Sequence, residues 1–268
     1  MPRIVIVGAG PAGINAAQAL ANKLKAADET EVVVLEKSRF FYHTVGAPRA
    51  YTEEAFAPKM FIPYDHAIPK HAAGYVKLIR ALATAIDGST NEVAFQRIGD
   101  HDQVASETEK ITFDYLIVAT GSTYSVPIKP AKDAYSRADT EAKLKEVREQ
   151  ISKAHKVLVV GGGAVGCEVA GDIASHYPDK EVTILEARDK LVAVNDVRDK
   201  FRNYLNGSLQ KLKRLDIGPF ENGNNREWWS NLLGLNGVHV AELVVVARES
   251  FTSFSLNSLN CITCIARH

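Results

Sequence analysis

The sequence predicts an α/β fold with two copies of one strand–loop–helix–strand unit in tandem, and three observations predict it. Two short runs rich in β-branched residues, Arg3–Val7 and Lys156–Val160, are apolar on both faces, as central strands of a parallel sheet are. Each run continues into a G-x-G-x-x-G loop and a stretch of helical character, residues 14–24 or 167–177. A second strand then closes each copy on an acidic residue.

The composition excludes several classes of protein. With 46% hydrophobic and 24% charged residues in 268, the chain is globular rather than disordered or fibrous. Its 32 basic and 32 acidic residues give zero net charge, so no surface for a polyanion is expected, and a nucleic-acid partner or DNA-binding role is disfavoured. Three cysteines cannot build a disulfide framework, which indicates a reducing compartment.

An uncharged run at residues 4–21 has the length of a signal peptide or a membrane span. Glycines at 8, 10 and 13 and Pro11 interrupt it, however, so a strand, a turn and a buried helix explain it better. We therefore expect no transmembrane segment. We expect a cytoplasmic protein, either free or peripheral to a membrane or lipid droplet.

The first unit begins with Arg3–Val7 and continues into a glycine loop. Its first glycine permits a tight turn, the second lets backbone approach a pyrophosphate, and the third lets helix and strand pack closely. The helix that follows offers unpaired N–H groups and the positive end of its dipole to phosphates. These features predict a Rossmann-like dinucleotide site, whose loop residues are Gly8, Ala9, Gly10, Pro11, Ala12 and Gly13.

The second unit repeats the arrangement after Lys156–Val160. The closing acids, Glu36 and Glu186, follow the first glycines by 28 and 25 residues, and each is expected to accept hydrogen bonds from ribose hydroxyls. A carboxylate at Glu186 favours NADH, whereas Arg188 could accommodate the 2′-phosphate of NADPH, so both remain open. The second site is predicted at Gly161, Gly162, Gly163, Ala164, Val165 and Gly166.

Between the units, residues 76–86 predict a strand, and residues 111–122 predict one strand ending in Ala-Thr-Gly. At this point the chain resembles the two-dinucleotide flavoprotein superfamily of disulfide reductases and type II NADH dehydrogenases. The resemblance implies that the first unit binds FAD. The second unit, inserted after the Ala-Thr-Gly strand, would bind NADH or NADPH.

Further cofactor-binding residues are assigned by this resemblance. Thr120 and Gly121 would let backbone approach the FAD, and Ala83 would contact its adenine. Lys37, which follows Glu36, is also predicted to bind the cofactor. Glu168, on the first turn of the second helix, would lie near the nicotinamide, although it also suits the helix dipole on its own.

A narrower resemblance covers residues 40–63, which are similar to the apoptosis-inducing-factor-like flavoproteins, the branch with the ferroptosis suppressors. It implies an NAD(P)H oxidoreductase that passes electrons through FAD to a quinone-type acceptor. Arg49 matches a family arginine that contacts FAD, and its alternative is a surface arginine. The redox chemistry belongs to the cofactors, so no catalytic side chain is predicted.

The cysteines do not fit a redox or metal role. Residues 40–49 contain no cysteine, which disfavours the flavin–disulfide relay of the disulfide reductases. Cys261 and Cys264 form one C-x-x-C pair, which cannot complete a four-ligand zinc site by itself. No metal is therefore predicted.

The resemblance covers residues 2–212 and stops there. From Lys213 the chain lacks clear periodicity, apart from a candidate strand at 238–247, and it lacks the family's later Gly-Asp motif. We expect an FAD-binding domain (1–125), an NAD(P)H-binding domain (126–247) and a divergent, poorly ordered tail (248–268). A truncated or mis-spliced product, or a gene model that departs from the family near Lys213, is expected. The alternative function is an inactive nucleotide-binding isoform or fragment.

Overall fold

The computed structural model describes residues 1–121, 128, 130, 135–186, 190–192 and 197–212, and the backbone of three strands beyond them. The chain divides into two compact units. The first consists of Met1–His43, Met60–Thr123 and Lys132–Asp139, and the second of Thr44–Lys59, Tyr124–Ala131 and Thr140–His268. The domain boundaries at residues 125 and 247 stay predictions.

Elements are numbered in chain order. Those of the first unit are β1 (Arg3–Val7), α1 (Pro11–Lys23), β2 (Glu31–Glu36), β3 (Phe40–Tyr42), β4 (Phe61–Pro63), β5 (Val76–Asp87), β6 (Glu92–Arg97), β7 (Glu109–Thr112) and β8 (Tyr115–Val118). Six of these strands form a sheet in the order β7-β6-β5-β2-β1-β8. Its β5-β2-β1-β8 part is parallel, whereas β5, β6 and β7 pair antiparallel, as do β3 and β4.

Alternate side chains of a strand point to opposite faces of a sheet, and in the parallel part of this sheet both faces are buried. On one face, Ile6, Val32 and Val34 pack against Ala17 and Ala21 of α1. The other face is a second cluster, made of Val5, Val7, Val33, Leu35, Ala81, Val93 and Phe95. Burying each large aliphatic side chain stabilises the fold by about 1.5–3 kcal/mol.

The second unit contains α2 (Ala47–Ala50), most of α3 (Arg137–Lys153), β9 (Lys156–Val160), α4 (Ala164–His176), β10 (Glu181–Glu186), α5 (Asp199–Leu209), β11 (Leu215–Pro219), β12 (Leu243–Ala247) and β13 (Cys261–Cys264). Its strands form a parallel sheet in the order β11-β10-β9-β12-β13. Helix α3 buries Thr140, Leu144, Val147 and Ile151, which recur every three or four residues along one face.

The α/β class and the parallel central strands are confirmed, and β1 and β9 have the predicted bounds. Both helices that follow the glycine loops begin three residues earlier than predicted, at Pro11 and Ala164. The second glycine of each loop is already the N-cap, so the helix starts inside the motif. Proline is favoured at this first position because its missing N–H would have no helical partner there.

Residues 111–122 do not form the single strand that we predicted. The chain breaks at Phe113–Asp114, where the Asp114 N–H donates to the Arg3 carbonyl at 2.9 Å, and β7 and β8 lie at opposite edges of the sheet. Strand β11 lies in the stretch after Lys213, where the sequence shows no clear periodicity and predicted no strand. Strand β13 lies within the predicted tail and pairs with β12, which precedes the tail; the other tail residues lie outside the described part of the chain.

Candidate functional site

The first glycine loop (residues 8–13) joins β1 to α1. Gly8 has φ = +96°, a conformation that side chains disfavour, and its N–H donates to the Leu35 carbonyl at 2.8 Å. A Cβ on Gly8 would lie 2.6 Å from the Ala119 carbonyl oxygen, and one on Gly13 would lie 1.8 Å from the Gly8 oxygen. The first and third glycines are therefore required by close backbone packing.

Glu36, at the end of β2, closes this loop from the side. Its Oε2 accepts a hydrogen bond from the Ala9 N–H at 2.6 Å, and its Oε1 accepts one from the Ser38 N–H at 2.8 Å. A carboxylate oxygen can accept more than one hydrogen bond, so ribose binding by Glu36 stays compatible with these contacts. What we did not predict is that the acid also holds the loop backbone.

The second glycine loop (residues 161–166) repeats this geometry between β9 and α4. Gly161 has φ = +109°, and its N–H donates to the Leu185 carbonyl at 2.8 Å. The Glu186 Oε2 accepts a hydrogen bond from the Gly162 N–H at 2.6 Å. The two predicted loops thus have the same backbone geometry, and in each the acid at the end of the following strand binds the equivalent amide.

The second glycine of each loop faces open space. A Cβ on Gly10 or Gly163 would meet nothing within 4 Å, and neither N-cap makes a side-chain capping hydrogen bond. The first N–H groups of a helix have no partner within the helix, and its N-terminus carries partial positive charge. Both loops therefore offer a place and a charge suited to a phosphate.

The stretch after β8 lies against the first loop. The Ala119 N–H donates to the Val7 carbonyl at 2.8 Å, and Gly121 has φ = +66°. The Thr120 Cα is 3.2 Å from where a Cβ on Gly8 would be. The predicted residue Thr120 is thus brought to the first loop, and Gly121 follows it in the chain.

Lys37 and Ala83 are placed differently. The Lys37 Nζ lies 5.7 Å from the centre of the Tyr135 ring. In the pairing of β2 with β5, Glu36 lies opposite Arg80, so Ala83 is about 10 Å further along β5. There it pairs with Phe95 beside a β-bulge and packs against the core cluster of that face. Contact of Ala83 with adenine stays a prediction.

Arg49 belongs to the second unit and forms ion pairs there. Its Nη2 is 3.4 Å from the Asp172 Oδ1 of α4, and its Nε is 3.7 Å from Glu53. Glu168 is one turn before Asp172. Partial burial raises the pKa of Glu168, as does the Asp172 carboxylate, while Arg49 opposes the shift. The structure thus groups Arg49 with the predicted Glu168, and FAD contact by Arg49 stays a prediction.

Cys167 follows the second loop inside α4 and is only 5% exposed. Its thiol donates to the Gly162 carbonyl at 3.5 Å, and burial, with the charges of Glu186 and Glu168, raises its pKa to about 12. Such a thiol is unreactive at neutral pH. Within the described residues, no group of histidine, cysteine and acidic side chains could hold a metal ion.

Several contacts at the loops were not predicted. The Tyr64 hydroxyl donates to the Ala9 carbonyl, and the Val192 N–H donates to the Gly162 carbonyl. Tyr64 directly follows residues 40–63, the stretch similar to the apoptosis-inducing-factor-like proteins, and this position was the only available signal. Arg188, named as a means of accepting NADPH, lies outside the described residues.

Among the helices that the structure describes, none has the length and apolarity needed to cross a membrane.

Comparison with known proteins identifies relatives for most of the chain. Residues 2–216 match the family described as pyridine nucleotide-disulphide oxidoreductase. The chain is 31% identical over 215 residues to apoptosis-inducing factor homolog A of Dictyostelium discoideum, covering 78% of this chain and 47% of that protein. It is 34% identical over 196 residues to ferroptosis suppressor protein 1 of Xenopus tropicalis, covering 73% of this chain and 46% of that protein.

A solved structure shares the fold. NDH2 of Plasmodium falciparum, determined in complex with NADH, aligns with a TM-score of 0.57 at 16% identity, covering 81% of this chain and 48% of that one. The chain spans about half the length of the curated relatives it matches. The predicted resemblance is confirmed, and the chain belongs to the pyridine nucleotide-disulphide oxidoreductase family, with apoptosis-inducing factor homologs and ferroptosis suppressor proteins among its relatives.

Proposed function

We propose that this chain is the nucleotide-binding part of an FAD-dependent oxidoreductase that takes hydride from NADH or NADPH and passes electrons to a quinone-type acceptor. One observation carries the proposal: two glycine loops have the same backbone geometry, and each is held by an acid from the following strand. By the order typical of the family, the first loop would hold FAD and the second loop the nicotinamide nucleotide.

The residues present fit both cofactors. At Gly10 and Gly163 there is open space where a pyrophosphate would lie, and the helix that starts there adds partial positive charge. Ala119 and Thr120 would line the FAD, because they pack on the first loop, and Gly121 would follow them along the cofactor. When bound, FAD supplies the redox chemistry, accepting hydride from the nicotinamide and releasing electrons to the acceptor. The protein's part is to bind and orient the two.

Glu186 supports a preference for NADH. Its carboxylate lies beside Gly162, where an adenosine ribose would meet it, and a negative charge there repels the 2′-phosphate of NADPH. The quinone acceptor is what the resemblance to the ferroptosis suppressor proteins implies, and relatives of that name support it. The insertion of one Rossmann-like unit into the other, and contact with a membrane or lipid droplet, are part of the same proposal.

The experiment is to purify the full chain, reconstitute it with FAD, and follow NADH oxidation with a soluble quinone. We expect visible flavin absorbance and turnover that needs both NADH and quinone. The matched variant is Gly163→Asp, whose carboxylate would enter the open space of the second loop and repel the pyrophosphate. It should abolish NADH binding and turnover while leaving bound FAD unchanged.

Two results would count against the enzyme. Binding of NADH without any turnover supports the alternative, a nucleotide-binding protein with no oxidoreductase activity. A folded chain that binds neither cofactor contradicts both functions.

A further inference from the structure

Tyr64 reaches the first glycine loop from a distant part of the sequence. It follows β4 directly, and its ring packs against the core cluster that contains Ile6 and Ala9. Its hydroxyl donates a hydrogen bond to the Ala9 carbonyl at 2.8 Å. The packed ring fixes where the hydroxyl lies, so this contact is built into the fold.

The carbonyl that Tyr64 binds belongs to the peptide group that joins Ala9 to Gly10. Because a peptide group is planar and trans, holding the Ala9 carbonyl also sets the direction of the Gly10 N–H, which points away from it. Glycine flanks Ala9 on both sides, and glycine restrains the backbone least of all residues. Without an outside contact, these peptide groups would rotate more freely than those of an ordinary turn.

Glu36 and Tyr64 together hold Ala9 at both ends. The carboxylate of Glu36 accepts from the Ala9 N–H at 2.6 Å, and the phenol donates to the Ala9 carbonyl. Burial and the negative charge of Glu36 raise the pKa of Tyr64, so its hydroxyl keeps its proton and remains a donor. We call this pair of contacts the Ala9 clamp.

The second loop has the same restraint from another source. Its equivalent peptide joins Gly162 to Gly163, and its carbonyl accepts a hydrogen bond from the Val192 backbone N–H at 2.7 Å. The preceding N–H is held by Glu186. Two loops with different surroundings therefore fix the same peptide group, the one that presents the N–H of the second glycine.

We infer that Tyr64 is a positioning residue for the dinucleotide of the first loop, because its hydroxyl fixes the Ala9–Gly10 peptide so that the Gly10 N–H is presented to the pyrophosphate. This inference rests on the proposed function for the identity of the dinucleotide, FAD. The restraint on the loop itself can be measured without any cofactor.

The test compares Tyr64→Phe with Tyr75→Phe in the full chain. Each change removes one phenolic hydroxyl that donates to backbone carbonyls at one end of α1. The Tyr64 hydroxyl binds Ala9, just before the helix, whereas the Tyr75 hydroxyl donates to the Ala21 and Leu24 carbonyls, at 2.9 Å each, at the opposite end. Tyr75→Phe is therefore the control for a loss of stability alone. FAD affinity, NADH affinity and hydrogen exchange of the peptide covering residues 8–13 are measured for each.

We expect Tyr64→Phe to weaken FAD binding about tenfold, which is about 1.4 kcal/mol, by the loss of one hydrogen bond. NADH affinity should stay at the wild-type value, because the second loop does not use Tyr64. Exchange of residues 8–13 in the cofactor-free chain should become faster in Tyr64→Phe and stay unchanged in Tyr75→Phe.

The inference is overturned if Tyr64→Phe binds FAD no more weakly than Tyr75→Phe, or if exchange of residues 8–13 does not change. If the wild-type chain binds NADH but no FAD, the proposed function fails, and the exchange measurement alone decides whether Tyr64 restrains the loop.

Discussion

The two glycine loops have the same backbone and different surroundings. In both, the first glycine is left-handed, the second is the N-cap of a helix, and an acid binds the amide between them. The residue in between differs: Ala9 is fully buried with its methyl group, whereas a Cβ on Gly162 would lie 2.6 Å from the Leu191 Cδ2. The motif thus determines the backbone, and the neighbouring segments decide which side chains it tolerates.

The donors to the two loops differ as well. The first loop uses the side chain of Tyr64, and the second uses the backbone of Val192. Val192 has φ = +46°, which is unusual for a β-branched residue. The second loop therefore receives its restraint at the cost of local backbone strain, whereas the first obtains it from a packed aromatic ring.

The largest effect is expected from Gly13→Ala. The new methyl group would lie 1.8 Å from the Gly8 carbonyl oxygen, a backbone atom that cannot move aside, so the free energy of unfolding should fall by about 3 kcal/mol. Gly10→Ala is the control, since its methyl group meets no atom and should leave stability near wild type while weakening FAD binding. Denaturant unfolding followed by circular dichroism measures both. Equal stability of the two variants would contradict the packing argument.

Gly162→Ala should come next, because its methyl group would meet side chains, Leu191 at 2.6 Å and Glu186 at 3.0 Å, rather than backbone. We expect a loss of about 2 kcal/mol in the free energy of unfolding, partly recovered in the double variant with Leu191→Ala. The reverse change in the first loop, Ala9→Gly, should cost about 1 kcal/mol through backbone entropy. If the double variant recovers nothing, Leu191 does not explain the glycine.

Glu186→Gln tests which loop binds the nicotinamide nucleotide. Removing the negative charge should reduce the preference for NADH over NADPH about tenfold, or about 1.4 kcal/mol, because the 2′-phosphate is no longer repelled. Titration of both nucleotides into the chain gives the ratio of dissociation constants. Glu36→Gln is the matched variant and should leave that ratio unchanged; a change there instead would reverse the assignment of the two loops.

The smallest effect concerns Cys167, whose counterpart after the first loop is Ile14. The pKa of its thiol is about 12 in the fold, against about 8.5 for a free thiol, so the native state keeps a proton that the unfolded state loses. Stability is then unaffected at neutral pH, and it falls as the pH rises through the pKa of the free thiol towards 12. Cys167→Ala should lack this part of the pH dependence, and identical slopes would show that the thiol is not buried in solution.

Much of the α/β class and of the two loops could be predicted from the sequence, because local sterics determine them. A strand of β-branched residues and a left-handed glycine depend on neighbours within a few positions, so β1 and β9 have the predicted bounds. The acids Glu36 and Glu186 were also predicted, although their contact with the loop amides was not.

Only the tertiary structure decided the rest. The break at Phe113–Asp114, which places β7 and β8 at opposite sheet edges, depends on hydrogen bonds to Asn91 and Arg3. The contact of Tyr64 with Ala9 spans 55 residues, and the pairing of Arg49 with Asp172 spans 123. Such contacts join residues that are close only after the chain has folded, and no local pattern encodes them. The sequence by itself therefore determined the backbones of the two glycine loops, and the folded chain determined which residues hold each of them.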